Sequence, residues 1–217
     1  MNSRWVKSES ILDSSSVANN NSNGQGTPLP KPGGPLKPRL DAIQKKIQVQ
    51  ISRLEEIYDL LKLKDRDIFD KLTLSMKQNN AQHSALILSE LTKTRQVSRV
   101  VILSCIGLEK LIAKLSSVSD FGDLVAILSP AMAVVKNLRS SLTPHLPEME
   151  EKLGIISELL SGILVDAGQV GGYTINFELA NGAAVRLIAE ARLGADLKIK
   201  EELPDIPELP MISLRFA

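Results

Sequence analysis

Two histidines, one cysteine, a close pair of aspartates and a glycine-rich stretch are the places where this chain could do chemistry. Each falls short of a site. Neither His83 nor His145 has a second histidine or a cysteine at metal-ligand spacing, so both are expected on the surface, with no metal. Cys105 is the single cysteine. It cannot close an intrachain disulfide, and its apolar helical neighbours make it a buried small hydrophobe rather than a nucleophile. Asp65 and Asp67 could suggest paired carboxylates, but residues i and i+2 on a helix point to different faces. They read as solvated residues that pair near Lys64 and Arg66. Gly168-Gln169-Val170-Gly171-Gly172 lacks the Gly-Lys-Ser/Thr end of a phosphate loop. These residues imply no enzyme and no cofactor.

The elements that carry them are helical. Leu40, Ile47, Leu54, Leu61 and Ile68 sit seven apart, and Ile43, Ile51, Ile57, Tyr58 and Leu72 fill the three- and four-residue spacings between. No Pro or Gly interrupts the run from Arg39 to Ile106, so helix propagation meets no breaker. A straight helix from Arg39 to Met76 would be roughly 57 Å long at ~1.5 Å per residue. That is a rod, and it must turn to bury its seam. The corner is expected at Lys77-Gln78-Asn79-Asn80, where Asn takes capping and left-handed conformations. Beyond it a second apolar stripe includes Leu88, Leu91, Val101, Leu108, Leu111 and Leu115. Two antiparallel helices within the chain, or two chains paired as a coiled coil, would both bury these seams.

The expected fold is therefore all-α: a long antiparallel helical hairpin over 39–118, shorter C-terminal helices, and a disordered N-terminal tail. An aromatic content of 3% beside 43% hydrophobic residues suits such an extended helical chain. Residues 1–38 divide into a short segment holding Trp5, Val6, Ile11 and Leu12 and a linker rich in Asn, Gly and Pro that cannot bury a core. Trp5 is the candidate for insertion at a membrane interface. Helices are expected over 123–142, with a kink or break at Pro130, and over 147–165, opened by Pro147 and the acidic Glu148, Glu150 and Glu151. Residues 39–167 form the helical core, 168–182 a flexible connector, and 183–217 a short helix with a proline-rich acidic tail. No apolar run approaches the ~20 residues that span a bilayer, and no secretory signal is seen. A cytoplasmic protein is expected.

The net charge of +1 hides an asymmetry. From Lys37 to Lys77 there are ten Lys/Arg against seven Asp/Glu, and from Ala81 to Ser116 five against two, so the hairpin is six positive. From Thr143 onward six Lys/Arg face twelve Asp/Glu, six negative. A basic rod with an acidic tail can fold back on itself, or offer a basic face to an anionic surface once the tail is displaced. Two solvated faces of opposite bias would look the same in sequence.

Ordered motifs along the chain carry a resemblance. The runs Ile51-Ser52-Arg53-Leu54-Glu55 and Lys64-Asp65-Arg66-Asp67-Ile68-Phe69, then Ser119-Asp120-Phe121-Gly122-Asp123-Leu124 through Leu128-Ser129-Pro130-Ala131, then Pro147-Glu148-Met149-Glu150, closely resemble archaeal ESCRT-III-like cell-division proteins, the B-type components of the Cdv system. Ala189-Glu190-Ala191 and Leu203-Pro204-Asp205-Ile206-Pro207 look like the last helix and tail of that family. The resemblance covers about Arg39 to Pro210. It implies membrane-associated filaments, built from this chain and its paralogues, that constrict a neck at the division site on the inner membrane face. It also implies an AAA ATPase that remodels them, with Leu203, Pro204, Ile206 and Pro207 docking extended between helices of its MIT domain. The prolines restrict the unbound segment, so docking loses less entropy, and Leu203 and Ile206 supply apolar anchors. The family's membrane-facing basic positions form no strict motif, so Lys45, Lys46, Arg53, Lys62, Lys64 and Lys71 are candidates from charge alone. The stretch after Gln169 is short for a full winged-helix module.

A different class remains open on the residues themselves: a coiled-coil adaptor that tethers two partners and never polymerises. Nucleic-acid binding is disfavoured, because aromatic residues are scarce and the basic residues are interleaved with acids.

Overall fold

The computed structural model describes residues 35–118, 121–171 and 177–207. Among them are five helices and no strand: α1 Leu36–Lys77, α2 Ala81–Ser116, α3 Phe121–Leu142, α4 Glu148–Gly171 and α5 Phe177–Glu202. The expected disordered segment as far as residue 34, and Trp5 with it, lies outside the described residues.

α1 and α2 bury their seams against each other within one chain, the first of the two pairings the periodicity left open. α1 begins at Leu36, three residues ahead of the expected start. Pro38 then falls in the first turn, where its missing N–H has no intrahelical acceptor to lose. The corner is the expected asparagine turn. Asn79 takes φ 56°, a left-handed conformation that Asn tolerates better than most residues. Asn80 caps α2, its side chain accepting from the His83 N–H at 3.2 Å.

α3 and α4 form a second antiparallel pair, and α5 lies across α2 and α3. Apolar residues from all five helices form one cluster, including Ile47, Leu54, Leu108, Leu128, Leu160 and Leu187. The hairpin's far end has a separate small one, Ile68, Leu72 and Leu91.

The helices are longer than the sequence suggested. α3 runs through Pro130 without ending. A proline inside a helix costs about 3 kcal/mol, but Leu128, Ala131, Val134 and Val135 around it are all buried, and that packing holds the element together. The expected connector 168–182 is helical to Gly171 and again from Phe177. α5, at 26 residues, is also longer than the short helix expected from residue 183 onward. Its inner face is Ala180, Ala184, Leu187, Ala191 and Ala195, all buried. Small residues bring helices close: a Cβ at Gly194 would stand 3.1 Å from Ile106 Cδ1, and one at Gly107 would stand 3.2 Å from Leu138 Cδ1.

Candidate functional site

The opposite charges of the two halves meet in ordered pairs. Arg39 of α1 reaches Asp166 of α4 at 2.6 Å, and Lys62 of α1 reaches Glu202 of α5 at 2.8 Å. Arg99 and Lys110 of α2 each lie 2.9 Å from α5 acids, Asp196 and Glu190. In all four the base is on the hairpin and the acid on the C-terminal half. The sequence asymmetry thus becomes a contact: the acidic half covers the basic one.

The most built of these contacts closes on Tyr58. Its ring is buried on α1, and its hydroxyl donates to Glu202 at 3.1 Å. The amines of Lys62 and Lys198 each lie 5.5 Å from the ring centroid, within reach of a cation–π interaction. Burial, reinforced by the Glu202 charge, holds the phenol well above its ordinary value. Burial alone would raise Glu202, but hydrogen bonds from Lys62 and Tyr58 outweigh it and hold the carboxyl below the ordinary range. Cys105 lines the same cleft. Burial pushes its thiol up to about 12, so it is an inert thiol rather than a thiolate nucleophile at neutral pH. Among the described residues no three His, Cys, Asp or Glu gather at a metal site, and no helix is long and apolar enough to cross a membrane.

With this geometry in place, comparison with known proteins gives two relatives from Sulfolobus acidocaldarius. Cell division protein B1 is 28% identical over 183 residues, covering 84% of this chain and 86% of its own. Cell division protein B is 24% identical over 175 residues, covering 81% of this chain and 67% of its own. Over most of its length the chain is similar to these two archaeal cell-division proteins of the B type. No family model matches it, and no solved structure does.

The residues that this family likeness singles out are not gathered into one patch. Of the docking positions, Leu203 is buried at 6% exposure, Pro204 is exposed, Ile206 is 40% exposed and Pro207 is half-buried. The two apolar anchors therefore differ, since one is already packed against this chain. Of the basic candidates, Lys45, Arg53, Lys64 and Lys71 are exposed. Lys64 and Lys71 have acidic neighbours on the hairpin itself, Glu90 at 3.4 Å and Asp67 at 2.6 Å. Lys46 is half-buried at a groove facing α4. Lys62 faces the other way, toward α5, and is held there by Glu202.

One residue expected in solvent is not there. Asp65 is fully buried, and Arg95 of α2 donates to both its oxygens, Nε at 2.7 Å and Nη2 at 3.0 Å. A signal for it was present. Asp65 sits midway between Tyr58 and Leu72 in a seven-residue series, and Arg95 sits likewise between Leu88 and Ile102. A charge at a seam position on each arm is the mark of a buried pair that fixes register. Arg39 and Asp166, near the helix ends, left no comparable sign.

Proposed function

We propose that this chain is a self-assembling, ESCRT-III-like protein of cell division. It forms membrane-associated filaments that constrict and sever a membrane neck, and it works at the division site on the cytoplasmic face of the membrane. The observation that carries this reading is the one-directional pairing of basic hairpin with acidic C-terminal half. That arrangement gives a subunit two forms. In the closed form α5 covers the hairpin and uses part of its charge. In the open form the α2 and α3 surfaces under α5 are free for another subunit, and Lys62, Arg99 and Lys110 are released toward anionic lipid. Adhesion is worth about 1 kcal/mol per basic residue at an anionic surface, so single subunits hold weakly and polymers hold well. A partner AAA ATPase that captures Leu203, Pro204, Ile206 and Pro207 by its MIT domain remodels the polymer.

The test is sedimentation with anionic liposomes of the full chain and of a chain ending at Gly171, which removes α5 and keeps α4. Lipid-dependent filaments from the shortened chain, suppressed by salt, are expected. Small oligomers in the supernatant from both chains at low salt would instead favour a coiled-coil adaptor.

A further inference from the structure

A groove of about 710 Å³ lies between the first turns of α1 and the outward side of α4. Ile43, Ile155, Leu159 and Val165 line it. The Arg39–Asp166 pair belongs to it, and Lys46 and Glu158 lie two turns further along their helices. Its apolar wall is not closed: Val165 is 55% exposed, and Ile155 and Leu159 are only half-buried. Leaving such surface in water forgoes about 25 cal/mol per Å² of apolar area.

We propose that this groove is the seat of the chain's own segment Thr27-Pro28-Leu29-Pro30-Lys31-Pro32. Position is the first reason. The chain passes into α1 at Leu36, and Arg39, on the groove wall, is one turn further on. A segment ending at Pro32 is therefore tethered at the groove's mouth, and tethering supplies an effective concentration in the millimolar range that a free competitor must exceed. Reversal is the second. To lie along the groove the chain must fold back on α1, and Gly33-Gly34, set between Pro32 and Pro35, is the pair of residues that bends most readily.

Length is the third reason. From Ile155 to Asp166 the α4 wall rises about 16 Å at ~1.5 Å per residue. Six residues in the extended proline conformation span about 19 Å at ~3.1 Å each. Chemistry is the fourth. Three of the six residues are prolines, which have no backbone N–H to leave unsatisfied against an apolar wall and which reduce the entropy lost on docking. Leu29 offers the one large apolar side chain, and Lys31 carries a charge opposite to that of exposed Glu158. Seated there, the segment covers Val165 and shields the Arg39–Asp166 pair that joins α1 to α4.

The experiment uses the full chain, a Leu29→Asp variant, and a chain lacking residues 2–32, with helicity confirmed by circular dichroism. Amide hydrogen exchange is followed in α4 from 155 to 166, with α3 as internal reference. Severalfold faster exchange in α4 is expected in both altered chains, with α3 unchanged. A carbodiimide reaction on a mixture of ¹⁴N- and ¹⁵N-labelled full chain is expected to join Lys31 to Glu158 within molecules of one isotope. Mixed-isotope products would place a second copy in the groove and overturn the assignment. Unaltered exchange in both altered chains would overturn it too, as would acceleration on deletion without acceleration in Leu29→Asp.

Discussion

The hairpin's two ends are built on different terms. Its base, from Leu40 to Tyr58 on α1 and from Val101 to Leu115 on α2, shares a core with α3, α4 and α5. Its far end has two helices only, with Ile68, Leu72 and Leu91 as its fully buried apolar residues. Between the two cores sits the buried Asp65–Arg95 pair, and α5 ends beside it, with Glu202 reaching Tyr58 and Lys62. The far end keeps further polar groups inside: Ser75 and Ser84 share a hydrogen bond of 2.9 Å across the arms. A two-helix element cannot rely on apolar area, so it uses directional contacts that allow one register. The base is held by apolar area shared among all five helices.

The contrast breaks most readily at Asp65. An Asp65→Ala change leaves the Arg95 guanidinium buried without a counter-charge, and a loss of about 3–5 kcal/mol is expected in urea unfolding. Replacing the pair by Leu and Met should be near neutral in stability, because apolar residues of similar volume often substitute for a buried pair. Near-normal stability in Asp65→Ala would mean that the pair is not enclosed and that the two cores are one. Leu72→Ala and Leu128→Ala sharpen the contrast further. Each removes a fully buried leucine, with about 2–5 kcal/mol expected from each. Hydrogen exchange should show the Leu72 loss as local opening of 62–95 and the Leu128 loss across the base. The same pattern from both would unite the two regions.

How much of this was legible follows from the same physics. Seven-residue spacing in large aliphatic residues showed both arms of the hairpin, and an Asn pair after a long unbroken run showed the corner. The sequence points Asp65 to solvent because its nearest neighbours, Lys64 and Arg66, offer an easier partner than Arg95, thirty residues away. The full length of α5 is hidden in the sequence because its buried face is mostly alanine, and Gly182 and Gly194 interrupt the pattern. Gly194 in fact marks the close approach to Ile106. The basic candidates were named without a face, and only the packed structure separates Lys62, turned toward α5, from Lys45 and Arg53 in solvent.

The clasp at the boundary between the regions gives a smaller effect with a pH signature. Glu202→Gln removes the charge that Lys62 and Tyr58 hold, and α5 docking should weaken by ~1 kcal/mol, less than a fully buried charged hydrogen bond is worth because the carboxylate remains partly exposed. Because the docked carboxyl is held below its ordinary value, its contribution is complete above the ordinary carboxylate range and is lost as pH falls through the lowered value. Tyr58 acts at the other limit. Its phenol is held above its ordinary 10.0, so its contribution is complete below that pH and is lost as pH rises through the raised value. α5 exchange rates across pH should show the acid-side loss in the parent and not in Glu202→Gln.

The smallest expected change is at the outer pairs. Arg99 and Asp196 are 57% and 46% exposed, and exposed pairs contribute about 0–1 kcal/mol. Arg99→Ala should therefore leave α5 protected in hydrogen exchange, with a slight loss that disappears at high salt. The buried alanine face of α5 would then be what holds it down, and the charges would select which surface it covers. A loss well above 1 kcal/mol would reverse those roles. The base would then be held by directional contacts like the far end, and raising the salt alone should open the subunit.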